Sequence, residues 1–139
     1  MRRALFVTIA TLGLAAASPA NAADFKVVAN PSVKSSAISS DDLKDVFLGT
    51  RMSLPDGSRV EPVLARAGSA HEAFLRDLGK TDSALLTYYR SLVFTGKASM
   101  PKRCASDAEV IAYVARTKGA IGYVSAEAKA PGTKTLGLK

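Results

Sequence analysis

Short β-branched, apolar runs alternate along this chain with amphipathic segments that open on serine or threonine and close on glycine. Phe25-Lys26-Val27-Val28-Ala29 reads as a strand, broken at Asn30-Pro31-Ser32. Ser39 then precedes Asp41-Asp42-Leu43-Lys44-Asp45-Val46-Phe47, with Gly49 as the stop. Acids in the first turn and apolar residues at i, i+3 and i+4 make this a short helix. A Leu54-Pro55-Asp56-Gly57 turn leads to a strand over Val60–Ala65, where Pro62 marks an edge or a strand entry. Ser69-Ala70-His71-Glu72 has capping-box spacing, and its helix lays Ala70, Ala73, Phe74 and Leu78 on one face before Gly79. Thr81 or Asp82 caps a third helix bearing Leu85, Tyr88, Tyr89 and Leu92; a loop from Phe94 to Pro101 follows. Ser106-Asp107-Ala108-Glu109 opens a fourth helix, Gly119 ends it, and Ala120–Val124 is an apolar strand. A last strand is expected over Thr135–Leu138. Strands separated by helices specify an α/β fold: one small mixed sheet of three to four strands flanked by about four helices.

The first 22 residues fall outside that pattern. Arg2-Arg3 is followed by an uncharged apolar stretch from Ala4 to Ala17 and by Ser18-Pro19-Ala20-Asn21-Ala22. A basic start, a short apolar run and small residues before the break are the signature of a cleavable export signal, cut after Ala22. The chain is therefore expected to be a bacterial periplasmic protein, with residues 23–139 as a single domain. Nineteen Lys and Arg face twelve Asp and Glu over 139 residues, and two of the cations lie in the signal. The mature surplus of five positive charges favours anionic solutes or surfaces. Nucleic acid fits poorly, because the cations are spread singly and aromatics are 6%.

One Cys and one His exclude a disulfide framework and a multi-ligand Cys/His metal cluster. Cys104 reads as a small, semi-buried apolar residue. No Gly-x-Ser-x-Gly elbow, phosphate-binding Gly-Lys-Ser/Thr loop or Cys–His dyad is present, so the expectation is a non-enzyme without cofactor. The candidate site is Leu64-Ala65-Arg66-Ala67-Gly68-Ser69-Ala70-His71, a strand, a glycine turn and a helix start. Helix-opening amides and the dipole attract oxyanions, and Arg66 adds a bidentate clamp. His71, in the first helical turn, either faces solvent or donates to a ligand. Asn30 and Ser32 also follow a strand end and are expected to face the same crevice, although a plain turn accounts for them equally.

Val27-Val28-Ala29-Asn30-Pro31-Ser32 and Ile38-Ser39-Ser40-Asp41-Asp42-Leu43-Lys44-Asp45-Val46-Phe47-Leu48-Gly49, followed by Ser106-Asp107-Ala108-Glu109-Val110 and Gly119-Ala120-Ile121-Gly122-Tyr123-Val124, resemble the phosphate-type periplasmic substrate-binding proteins of ABC importers. These belong to the type II periplasmic binding protein superfamily. The resemblance implies one lobe of a fold whose two lobes hold an anion between them. The family's Arg is matched by Arg66, whereas its Ser-Gly-Thr run is absent from the corresponding stretch Arg66-Ala67-Gly68-Ser69-Ala70-His71-Glu72. It thus implies phosphate or another oxyanion as ligand, bound by Arg66, Ser69, His71, Asn30 and Ser32, and a membrane transporter as partner. The alternative is a protein–protein interaction module that has lost solute binding and docks through the former inter-lobe face, self-association into a homodimer included.

Overall fold

A strand that is apolar on both sides needs cover on both faces, and two strands of this chain are of that kind. In the computed structural model, which describes residues 25–139, β1 (Phe25–Ala29) and β5 (Ala120–Ser125) are buried along nearly their whole length and pair antiparallel at the centre of one sheet. The expected export segment, with its cleavage site after Ala22, lies outside the described residues.

The elements run β1, β2 (Ala37–Ile38), α1 (Ser40–Phe47), β3 (Glu61–Ala65), α2 (Ser69–Leu78), α3 (Asp82–Phe94), β4 (Lys102–Cys104), α4 (Asp107–Arg116), β5 and β6 (Lys134–Leu138). The sheet order is β2-β6-β1-β5-β3-β4. β3 lies parallel to both β4 and β5, and β1 lies antiparallel to both β5 and β6. The α/β class and the four helices are as the sequence indicates, but the sheet has six strands. The two extra strands are β2 and β4, of two and three residues. Neither carries a β-branched run long enough to be read as a strand; pairing to β6 and to β3 holds them extended. Short, cation-bearing edges such as Lys102-Arg103 also discourage further strand addition. Pro62 sits at the entry of β3, where it pairs with Ile121 on β5, one residue before the β4 ladder starts at Val63.

The crossovers explain the layers. From β3 the chain steps outward to β4 through α2 and α3, then returns past β3 to β5 through α4. Two crossovers of one hand running in opposite directions along a sheet must lie on opposite faces. Two cores result. On one face Phe25, Phe47, Phe74 and Tyr123 form an aromatic cluster under α1, α2 and α3, with Phe74 and Tyr123 stacked at 4.0 Å between centroids. On the other, Val110, Ile111 and Val114 of α4 pack on Val28, Val63 and Val124, with Cys104 among them.

Caps fix three helix starts. The side chains of Ser39, Thr81 and Ser106 accept from the amides of Asp42, Ala84 and Glu109 at 3.0, 3.1 and 3.2 Å. Thr81, not Asp82, is thus the cap of α3. The Glu109 carboxylate reaches one residue beyond the Ser106 cap and accepts from the Ala105 amide at 2.7 Å.

α4 approaches β5 closely because position 122 has no side chain. A Cβ on Gly122 would stand 2.9 Å from Val110 Cγ1 and 3.5 Å from Val63 Cβ. Gly122→Ala should therefore lower the unfolding free energy by about 1–3 kcal/mol through overpacking. Urea denaturation checks this, and an unchanged midpoint would contradict the close contact.

Candidate functional site

The end of β3 runs into α2 through Arg66, Ala67 and Gly68. Gly68 is the N-cap of α2, at φ 110° and ψ 168°, and no side chain caps the helix. Glycine takes that positive φ at no steric cost, so the chain turns in one residue and Ser69 becomes the first residue of the helix. The capping box expected at Ser69–Glu72 is therefore absent: a hydroxyl inside the helix is displaced by one position from where a cap must be. The first bond of the helix runs from the Glu72 amide to the Gly68 carbonyl, at 3.0 Å. The amides of Ser69, Ala70 and His71 have no intrahelical acceptor and point along the positive end of the dipole. Arg66 is exposed beside them, anchored by its own amide to the Cys104 carbonyl at 2.9 Å.

His71 does not face solvent. It is 3% exposed, and both ring nitrogens are engaged. Nε2 lies 2.8 Å from Asp82 Oδ1 and Nδ1 lies 2.5 Å from the Tyr123 hydroxyl. A carboxylate only accepts, so Nε2 carries the proton and donates to Asp82. In the neutral ring Nδ1 then accepts from the Tyr123 O–H. The Tyr123 oxygen in turn accepts from the Ala65 amide at 3.1 Å. Arg103 Nη2 completes the chain by donating to Asp82 Oδ1 at 3.0 Å. Every group from the Ala65 amide to the Asp82 carboxylate is satisfied with neutral histidine. This arrangement holds the last residue of β3, the first turn of α2 and the start of α3 in register.

The sequence-expected residues separate into two groups. Arg66, Ser69 and His71 meet at the carboxyl end of β3. Asn30 and Ser32 follow the carboxyl end of β1, which runs the other way. The Asn30 amide donates to Ala120 O at 2.8 Å, at the start of β5. A strand of five residues, roughly 15 Å, separates the two ends, so these residues do not share a crevice. Asn30 is buried, and its side chain donates to the carbonyls of Val114 and Ala115 at the end of α4 while accepting the Ser32 amide. The Ser32 hydroxyl accepts the Gly119 amide at 3.0 Å. The plain-turn reading describes both. From the sequence Asp82 is a possible helix cap and Arg103 carries no expected role at this site; they stand 11 and 32 residues from His71, and only the fold brings them together.

Cys104 is a free, buried thiol, and burial pushes its pKa up. Among the described residues no group of three His, Cys, Asp or Glu is placed to hold a metal, and no helix is long and apolar enough to cross a membrane.

No family model and no curated protein matches the chain. Solved structures do. An ABC-type phosphate transport receptor from Vibrio cholerae aligns with a TM-score of 0.64 at 14% identity, over 83% of this chain and 46% of its own. A phosphate ABC transporter substrate-binding protein from Clostridium perfringens, solved with bound phosphate, aligns with a TM-score of 0.63 at 12% identity, over 83% and 44%. PstS from Borrelia burgdorferi gives 0.53 at 14%, over 84% and 47%. The chain thus has the fold of part of these proteins and spans less than half their length.

Tyr123→Phe strands the Ala65 amide and His71 Nδ1, and should cost about 1–3 kcal/mol in chemical unfolding. The phenols of Tyr89 and Tyr123 are both raised, mainly by burial. The unfolded chain therefore loses these protons first, near the ordinary phenol value of about 10. Stability should hold below that pH and fall as pH rises above it. Thermal melts from pH 8 to 11.5 check the sign, and Tyr89→Phe should flatten the alkaline slope.

Proposed function

We propose that this chain binds a small oxyanion, phosphate or a similar ion, at the turn between β3 and α2. The observation that carries the reading is the open start of α2. Three consecutive amides lack intrahelical partners, glycine stands where a capping side chain would block them, and Arg66 lies exposed alongside. Helix starts of this kind stabilise anions through directed N–H groups and the dipole together. The shared fold with phosphate-binding proteins supports the same reading.

Ser69 contributes its amide and hydroxyl, Ala70 its amide. His71 serves through its backbone N–H, because its ring is occupied by Tyr123 and Asp82; the ring positions the turn. Asn30 and Ser32 hold the opposite end of the sheet and have no part in this site. The export signal expected over residues 1–22 supports a periplasmic location, where the chain works with an ABC-type transporter as a binding protein and not as an enzyme. Residues 23–139 act as a single domain.

A second reading, a docking module, draws on one observation. Phe94 is 92% exposed and Val93 45% exposed at the end of α3. Light scattering separates a homodimer from a monomer, and a stoichiometric periplasmic partner retained without phosphate would favour docking.

Calorimetry with phosphate and sulfate at low salt tests the main reading. Arg66→Ala should weaken binding about tenfold, as loss of a charge-assisted hydrogen bond does. Ser69→Pro removes one amide donor at a helix position that tolerates proline, so affinity should fall while the melting temperature is nearly kept. Absent heats, or equal heats in wild type and both variants, would contradict it.

A further inference from the structure

The amino end of β3 carries a separate cleft of about 340 Å³, at the opposite end of the sheet from Arg66. That volume lies at the lower end of small-molecule pockets. Its floor is apolar: Val46, Val60 and Tyr89 are all buried there. The Tyr89 hydroxyl donates to the Phe47 carbonyl, so the ring presents carbon to the cleft. Met52 and Met100, 61% and 44% exposed, form flexible walls able to adapt to an apolar shape.

The mouth is cationic. Arg59 and Lys118 both line it, and among the described residues neither has a carboxylate partner. They spring from adjacent segments: the Arg59 carbonyl lies 2.7 Å from where a Gly119 Cβ would stand, and the Glu61 amide donates to the Gly119 carbonyl at 2.8 Å. Arg51 also lines the cleft but stands 3.5 and 3.9 Å from Asp42 and Asp45, which neutralise it. The one acid of the lining, Glu61, accepts from the Tyr113 hydroxyl of α4 at 3.2 Å. Arg59 and Lys118 thus stand over an apolar floor without an ion pair among the described residues, while the Glu61 carboxylate is engaged by Tyr113.

We propose that this cleft binds a small organic carboxylate with a compact apolar body, such as an aryl- or branched-alkyl-substituted acid. The body fills the space between Val60, Tyr89 and the two methionines, and the carboxylate meets Arg59 and Lys118 at the rim. A bare phosphate is disfavoured, because the floor offers it no donors.

3-Phenylpropionate is the probe, with 3-phenylpropanol as its neutral counterpart, followed by amide chemical shifts on the full mature chain. The acid should saturate, shift Val60 and Gly119, and bind at least tenfold more tightly than the alcohol. The Arg59→Ala/Lys118→Ala double variant changes only exposed side chains, so it should melt like wild type and lose about tenfold in affinity. Ala98→Phe, which puts a ring into the cleft, should abolish binding, while Arg66→Ala should leave it unchanged. Lack of saturation, equal affinity for acid and alcohol, full affinity in the double variant, or displacement by phosphate would each overturn the proposal.

Discussion

The hydroxyl of Tyr123 joins chain segments that are far apart in sequence. It accepts the amide of Ala65 and meets Nδ1 of His71, while its ring stacks on Phe74 of α2. A buried polar group of this kind costs free energy unless each partner is present, so a satisfied network admits one arrangement of the surrounding elements. The consequence is local precision. The end of β3, the start of α2 and, through Asp82, the start of α3 are fixed relative to the centre of the sheet. An amide cluster that is to bind an ion must be held in place before the ion arrives, and here the second core residue of β5 from its carboxyl end does so from beneath.

Glycine at the cap and histidine beneath it divide the work of the turn. Gly68 leaves the amides open; a serine in that place would satisfy one of them internally. His71 then keeps a bonded ring on the inside and, in the proposed site, offers its backbone N–H at the helix start. Without the Ser-Gly-Thr run of the family it resembles, the turn still presents main-chain groups, and an anion in the proposed site would be met by these whatever side chains they carry. Arg66 remains the one charged group exposed on the turn itself.

Much of the architecture was legible because periodicity and caps agree. Leu43, Val46 and Phe47 repeat at helical spacing behind Ser39, and Ala120–Val124 is apolar without a break. β2 and β4 were not legible, because their extended form comes from pairing and not from composition. The candidate anion site is legible as a turn, through Arg66, Gly68 and Ser69, yet its capping is not: Ser69-x-x-Glu72 has the spacing of a box, and only the positive φ at Gly68 shows that the helix begins one residue earlier than a Ser69 cap requires. The burial of His71 is hidden from the sequence for a related reason. Amphipathic patterning puts a polar residue outward by default, and the partners that make its burial favourable, Tyr123 and Asp82, lie 52 and 11 residues away. Asn30 and Ser32 follow a strand end as Arg66 does, but the antiparallel sense of β1 sends them to the other end of the sheet.

The two ends of the sheet differ in chemistry. One offers main-chain donors and a guanidinium, and the other an apolar floor under Arg59 and Lys118. The central claim concerns the first, and amide chemical shifts during a phosphate titration at low salt test it most directly. The account predicts saturable shifts at Ser69, Ala70 and His71, with the resonances of Asn30 and Ala120 unmoved. Shifts spread evenly over the basic surface, or none at the opening of α2, would contradict it.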